Sequence, residues 1–109
     1  MLFQNAEFSW PVYIYLLVAC HALGDYVLQS DFLASTKGRN MWHLFMHCVL
    51  YTVPFALLVP STRTWQLPVL LVSHFWIDIL KARYKKLNYF SDQLSHFYAL
   101  YFIYVLPKI

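Results

Sequence analysis

Apolar residues run along this chain in four long stretches, separated by short polar punctuation. The first covers residues 10–29, with Ser9 placed to cap it and Pro11 in its opening turn. The second covers 41–59, after Asn40 as a cap and before Pro60. The third covers 65–80, with Thr64 as its cap and Pro68 early in the helix; the fourth covers 89–106 and stops at Pro107. None alternates with a period of two, and all are long for strands, so the pattern predicts helices. Each stretch approaches the roughly 20 residues that cross a bilayer. The predicted architecture is all-α: an integral membrane bundle of four short antiparallel transmembrane helices, with residues 1–109 as one domain. Pro54, inside the second stretch, is expected to kink it beside His47.

Composition strengthens the membrane reading. Of 109 residues, 61% are hydrophobic and only 12% charged, too few polar groups to cover a soluble bundle. The residues MLFQNAEFSW lack the basic start and cleavage site of a signal peptide, so the first apolar stretch is expected to be retained. Cys20 and Cys48 lie inside apolar runs without metal-type or disulfide-framework spacing, and read as buried free thiols.

Charge sets an orientation. Lys37 and Arg39 fall between the first two stretches, and Lys81, Arg83, Lys85 and Lys86 follow the third. The opposite side holds Arg63 and Lys108, with Glu7 near the start. Six basic residues against two place loops one and three in the cytoplasm and both termini outside. Trp10 and Trp65 then mark the outer interface and Trp42 the inner one. The basic cluster would attract anionic lipid headgroups. Nucleic acid is not an expected partner, since the net charge is only +3 and topology accounts for the basic run.

Against this background some residues are out of place. His21 and Asp25 stand in the first stretch, His47 in the second, His74 and Asp78 in the third, Asp92 and His96 in the fourth. An ionisable side chain within hydrocarbon costs roughly 2.5–3.5 kcal/mol on insertion scales. Three stretches carry a His/Asp pair at i, i+4, the spacing that puts both on one helix face. His43 and His47 share that spacing in the remaining stretch, the second, although His43 belongs at the interface and is left out of the ligand set. On the drawn topology every pair falls in the cytoplasmic half, with carboxylates nearer the cytoplasm and imidazoles deeper. Imidazole plus carboxylate suits zinc, manganese or iron. His21, Asp25, His47, His74, Asp78, Asp92 and His96 exceed one tetrahedral site, enough for one or two ions per chain.

Single residues have plainer explanations. Asp92 after Ser91 can complement a helix N-terminus. Asp25 can bridge helices as a packing device. Gln29, Asp31 and Lys37 either face a polar substrate or simply end the first helix, and Gln93 either supports the site or lies on the surface. The nine tyrosines and nine phenylalanines read as interfacial and lipid-facing residues.

HALGDYVLQSDFLASTK from His21 to Lys37, the lone His47, HFWIDILK from His74 to Lys81, and DQLSH from Asp92 to His96 together resemble the family known as domain of unknown function 3307. The resemblance implies a small integral membrane protein of bacterial or phage origin and brings no activity with it. A looser similarity, in ligand type and spacing, links the pattern to predicted membrane-bound metal-dependent hydrolases. The expected function is therefore metal-dependent hydrolysis of a phosphoester or lipid headgroup at the inner leaflet. In that reading Asp92 is ligand or general base, Lys81 holds an anionic group, and the other six are ligands or orient them. Two rivals stay open: a transport or proton-relay protein using the same cluster, and a structural or partner-binding bundle. Four short helices are few to enclose a full site, which leaves room for a homo-oligomer.

Overall fold

The structure, a computed structural model, describes residues 8–59, 62, 65–82 and 84–108. The expected cap at Thr64 and stop at Pro60 lie outside the described residues, as do Glu7, Arg63 and Arg83. The described chain is all-α, with five α-helices: α1 Trp10–Ala22, α2 Asp31–Thr36, α3 Met41–Leu58, α4 Gln66–Ala82 and α5 Tyr89–Leu100. All four expected starts fall within a residue of the observed ones, and three have a visible chemical reason. Pro11 takes an opening position of α1, where its missing N–H costs nothing. The Asn40 side chain accepts hydrogen bonds from the Trp42 and His43 N–H groups and starts α3. Asn88 accepts from the Ser91 N–H and starts α5, so Asp92 is not needed as a cap. Ser9 stands at the α1 N-cap position, and its carbonyl, not its hydroxyl, receives a helical bond, from Tyr13 N–H.

Helix ends depart from expectation at two places. The first stretch does not stay α-helical to residue 29; α1 passes at Leu23 into a π-helical turn, Leu23–Val27, closed by Leu28 N–H to the Leu23 carbonyl. The fourth stretch similarly passes into a π-helical turn at Tyr101–Val105 and then a 3-10 turn, Leu106–Lys108, which runs through Pro107 instead of stopping before it. A further element, α2, was not expected. Ser30 caps it by accepting from Leu33 N–H, and it folds the loop back against α3. The α3 helix runs unbroken through Pro54.

Helix α3 packs on α1 and α4, and α4 packs on α5. One end of the bundle is filled by apolar side chains: Leu17 and Tyr13 of α1, Phe55 of α3, Leu70 of α4, and Leu100 with Ile103 and Tyr104 from the last segment. Thr62 is buried there with its hydroxyl on the Phe55 carbonyl and beside the Tyr104 hydroxyl. Cys20 and Cys48 are buried and free, as expected. Outward faces are apolar on every long helix: Val12 and Tyr15, Val53 and Leu57, Val72 and Trp76, Tyr98 and Phe102 are all exposed. Among the described residues one helix, α3, is long and apolar enough to cross a membrane. The others fall short as α-helices, α4 at 17 residues and α1 and α5 because they change to π-helical turns.

Candidate metal centre

Beside the apolar end of the bundle lies a buried polar centre. All seven predicted site residues are in it, none more than 7% exposed. The i, i+4 spacing brings each pair to one face, but the closest contacts run between helices. Within helices His21 Nε2 and Asp25 Oδ2 are 3.8 Å apart, His74 Nε2 and Asp78 Oδ2 4.0 Å, and His96 Nε2 and Asp92 Oδ1 3.3 Å. The lone His47 is the hub. Its Nε2 lies 3.0 Å from His74 Nε2, 3.3 Å from Asp78 Oδ2 and 3.4 Å from Asp25 Oδ1. Asp25 Oδ1 is also 3.7 Å from His74 Nε2. Ligand bonds of roughly 2.0–2.1 Å in a tetrahedron require donor–donor edges of about 3.3–3.4 Å. These separations bracket that edge.

Three triads bring ligand atoms within 4.8 Å of one another: Asp25 with His47 and His74; His74 with Asp78 and His96; Asp25 with Asp92 and His96. Such buried groups can hold a metal ion. Asp25 belongs to two triads and so stands between the His47/His74 side and the Asp92/His96 side. Two polar atoms here, His47 Nδ1 and His74 Nδ1, are buried without a hydrogen-bond partner. An unpartnered buried polar atom carries a desolvation cost, so the cluster does not satisfy itself.

His21 stands beside the triads. Gln93 Nε2 faces the Asp25 and Asp92 carboxylates, 3.4 and 3.1 Å away, and must donate to them. Its Oε1, 2.9 Å from His21 Nε2, therefore accepts from that nitrogen. In the neutral ring this leaves His21 Nδ1 as acceptor for the Tyr51 hydroxyl at 2.7 Å. His21 thus orients its neighbours, its two nitrogens both engaged.

Two residues prove more central than their sequence reading: Tyr51, which reads as lipid-facing, and Lys37, which reads either as facing a polar substrate or as ending the first helix. Tyr51 is 1% exposed, not lipid-facing, and its ring stacks on His74 at 3.7 Å, which in turn stacks on His96 at 4.4 Å. Gly24 makes room for it: a Cβ there would meet Tyr51 Cα and O at 2.9 Å. The clue was available, since Tyr51 follows His47 by four residues, the spacing of the other pairs. Lys37 was the second. It is buried and its Nζ lies 2.8 Å from Asp78 Oδ2, a contact set by the α2 turn that no local pattern announces.

Lys81 Nζ pairs with Asp92 Oδ2 at 3.3 Å, so the two residues expected to act in catalysis touch each other. Gln93 supports the site. Gln29 donates to the Asp25 carbonyl, and Asp31 is exposed in the first turn of α2. His43 lies outside the cluster, within hydrogen-bond reach of Thr36 Oγ1 and against Phe32.

No curated protein and no solved structure matches the chain. The family model described as Protein of unknown function (DUF3307) matches residues 12–108, nearly the whole length over which these contacts are made, and the chain belongs to that family.

Proposed function

We propose that this protein is a four-span integral membrane metalloenzyme, a hydrolase whose buried His/Asp centre opens toward the cytoplasm. The observation that carries the reading is the convergence of six His and Asp side chains, from four helical segments, into three buried triads. The membrane part is supported by the inverted polarity of the bundle, with Val72, Trp76 and Phe102 outside and four histidines inside. It is also supported by the 41 Å long axis, which suits a bilayer of about 40–45 Å including headgroups.

With the carboxylates ionised and the imidazoles neutral, as ligation requires, Asp25, Asp78 and Asp92 against Lys37 and Lys81 leave the centre at a net −1. One divalent ion reverses that sign modestly, and a second needs an anionic partner. Zinc, manganese or iron suits the donor set. A bound ion would supply Lewis acidity and acidify a water molecule. Asp25, His47 and His74 would hold it, Asp78 would complete or orient the set, and Asp92 would ligate or accept the proton. Lys81 would keep to Asp92 until an ion takes up the charge of that carboxylate. The Gln93–His21–Tyr51 chain would fix the carboxylate orientation from behind.

The transport reading fares less well. Beyond the centre the hydroxyls of Ser73 and Thr52 bond back to carbonyls of their own helices, and the Phe55/Tyr104 cluster follows. Metal per chain, measured by inductively coupled plasma mass spectrometry on untagged protein in detergent, tests the proposal. One or two ions are expected, lost in the double variant His74→Ala/Asp78→Ala. Absence of metal after incubation with zinc, manganese and iron would sink it and leave the cluster to packing or proton relay.

A further inference from the structure

Between α2 with its following turn and the C-terminal end of α4 lies an open cleft of about 520 Å³. Its lining includes Lys37, Arg39, Lys81 and Lys85, together with Gln29 and Ser35, and no carboxylate is among its described lining residues. Lys37 and Lys81 are the same side chains that reach Asp78 and Asp92, so the cleft and the metal centre share two walls. We propose that this cleft binds a phosphate-type anion, the phosphoryl group of the substrate, against the metal centre. The proposal rests on the metal-hydrolase reading and names the substrate class for it.

Four features carry the inference beyond a generally basic face. The cations line one concave site from two separate segments, which a charge bias of the cytoplasmic side does not require. Gln29 Oε1, on the cleft wall, is buried without a hydrogen-bond partner and can accept from a hydroxyl of a protonated phosphate or a headgroup. Lys85 has φ 54°, a left-handed conformation that is costly for a side chain bearing a Cβ and that is over-represented where function holds the backbone. The chain reaches it by wrapping over the end of α4, with Tyr84 N–H on the Ile79 carbonyl and Lys86 N–H on the Leu80 carbonyl.

The fourth feature is the shared lysines. A divalent ion taking the charge of Asp78 and Asp92 competes with the ammonium groups now paired to them. Lys37 and Lys81 then turn their charge to the cleft, where an arriving dianion offsets both of them. Metal and anion binding are therefore coupled, each favouring the other.

The test is a calorimetric titration of inorganic phosphate into the full chain in phosphatidylcholine nanodiscs, loaded with manganese or freed of metal by chelation. Metal content is read on the same samples. Saturable binding is expected in the loaded protein, and binding about tenfold weaker after chelation. Arg39→Ala and Lys85→Ala are each expected to weaken it about tenfold, the loss of one charge-assisted hydrogen bond. Lys86→Ala, from the same basic run but outside the cleft lining, should leave it unchanged. Competition by phosphatidic acid in the bilayer would assign the anion to a lipid headgroup, and its failure to compete to a soluble phosphate. A Lys86→Ala loss equal to that of Lys85→Ala would reduce the effect to general charge and overturn the cleft. Manganese uptake without phosphate binding would also overturn it, with the metal reading intact. Phosphate binding that needs Lys85 in a protein taking up no metal would keep the cleft and remove the metal reading and the coupling.

Discussion

Removing one oxygen from Tyr51 isolates its role at the centre. Tyr51→Phe keeps the ring stacked on His74 but takes the donor from His21 Nδ1. The expected loss is about 1–2 kcal/mol of stability, the cost of an unmet buried acceptor. Gly24→Ala should cost more, about 2–3 kcal/mol, because the clash is with Tyr51 backbone atoms that no rotamer change can move. Thermal unfolding of both variants in detergent checks the order; a Gly24→Ala protein as stable as wild type would mean that α1 and α3 separate at no cost. At this scale the sequence was a good guide to which residues carry charge out of place. It was a poor guide to neutral partners, since Tyr51 and Gln93 are chemically unremarkable until their neighbours are known.

At the scale of elements, capping and breaking residues made helix starts legible. Asn40 is exposed and serves α3 through two hydrogen bonds to its first turn. Asn40→Ala should therefore lower stability by about 1 kcal/mol without altering metal content; denaturation midpoint and metal stoichiometry measured together would separate a capping role from one in the site. The π-helical turn holding Gly24 and Asp25 was not legible. A widened turn has no residue signature of its own; it forms where packing, here Tyr51 against Gly24, rewards the altered register. The same applies to α2. Its six residues are too few to fold alone, and it exists because the loop closes over α3 and delivers Lys37 to Asp78.

For the whole molecule, the proposed four-span topology makes a sharp prediction. Cys20 and Cys48 are buried, so single introduced cysteines can report sidedness with little background. With a membrane-impermeant thiol reagent on intact cells, Ser9→Cys should be labelled. Ser35→Cys and Lys86→Cys should be labelled only after the inner membrane is opened. Labelling of Ser9→Cys and Ser35→Cys from the same side would overturn the four-span arrangement, since one crossing separates them. On the proposed four-span arrangement the buried polar centre and the apolar exterior would have a common origin: with lipid outside, burial of apolar area gives helices little reason to associate, and contacts among polar groups select the packing.

The sequence by itself determined the all-α class, the helix starts at Trp10 and Met41, and the membership of His21, Asp25, His47, His74, Asp78, Asp92 and His96 in one buried cluster. Helical periodicity is a local property, and ionisable residues within apolar runs are visible without any fold. Only the tertiary structure decided who touches whom: His47 as the hub, His21 held off by Tyr51 and Gln93, and Lys37 and Lys81 joined to the carboxylates. Those choices depend on helix rotation, on a π-helical turn and on the path of a loop. Each is fixed by packing between residues far apart in the chain, which no local pattern encodes.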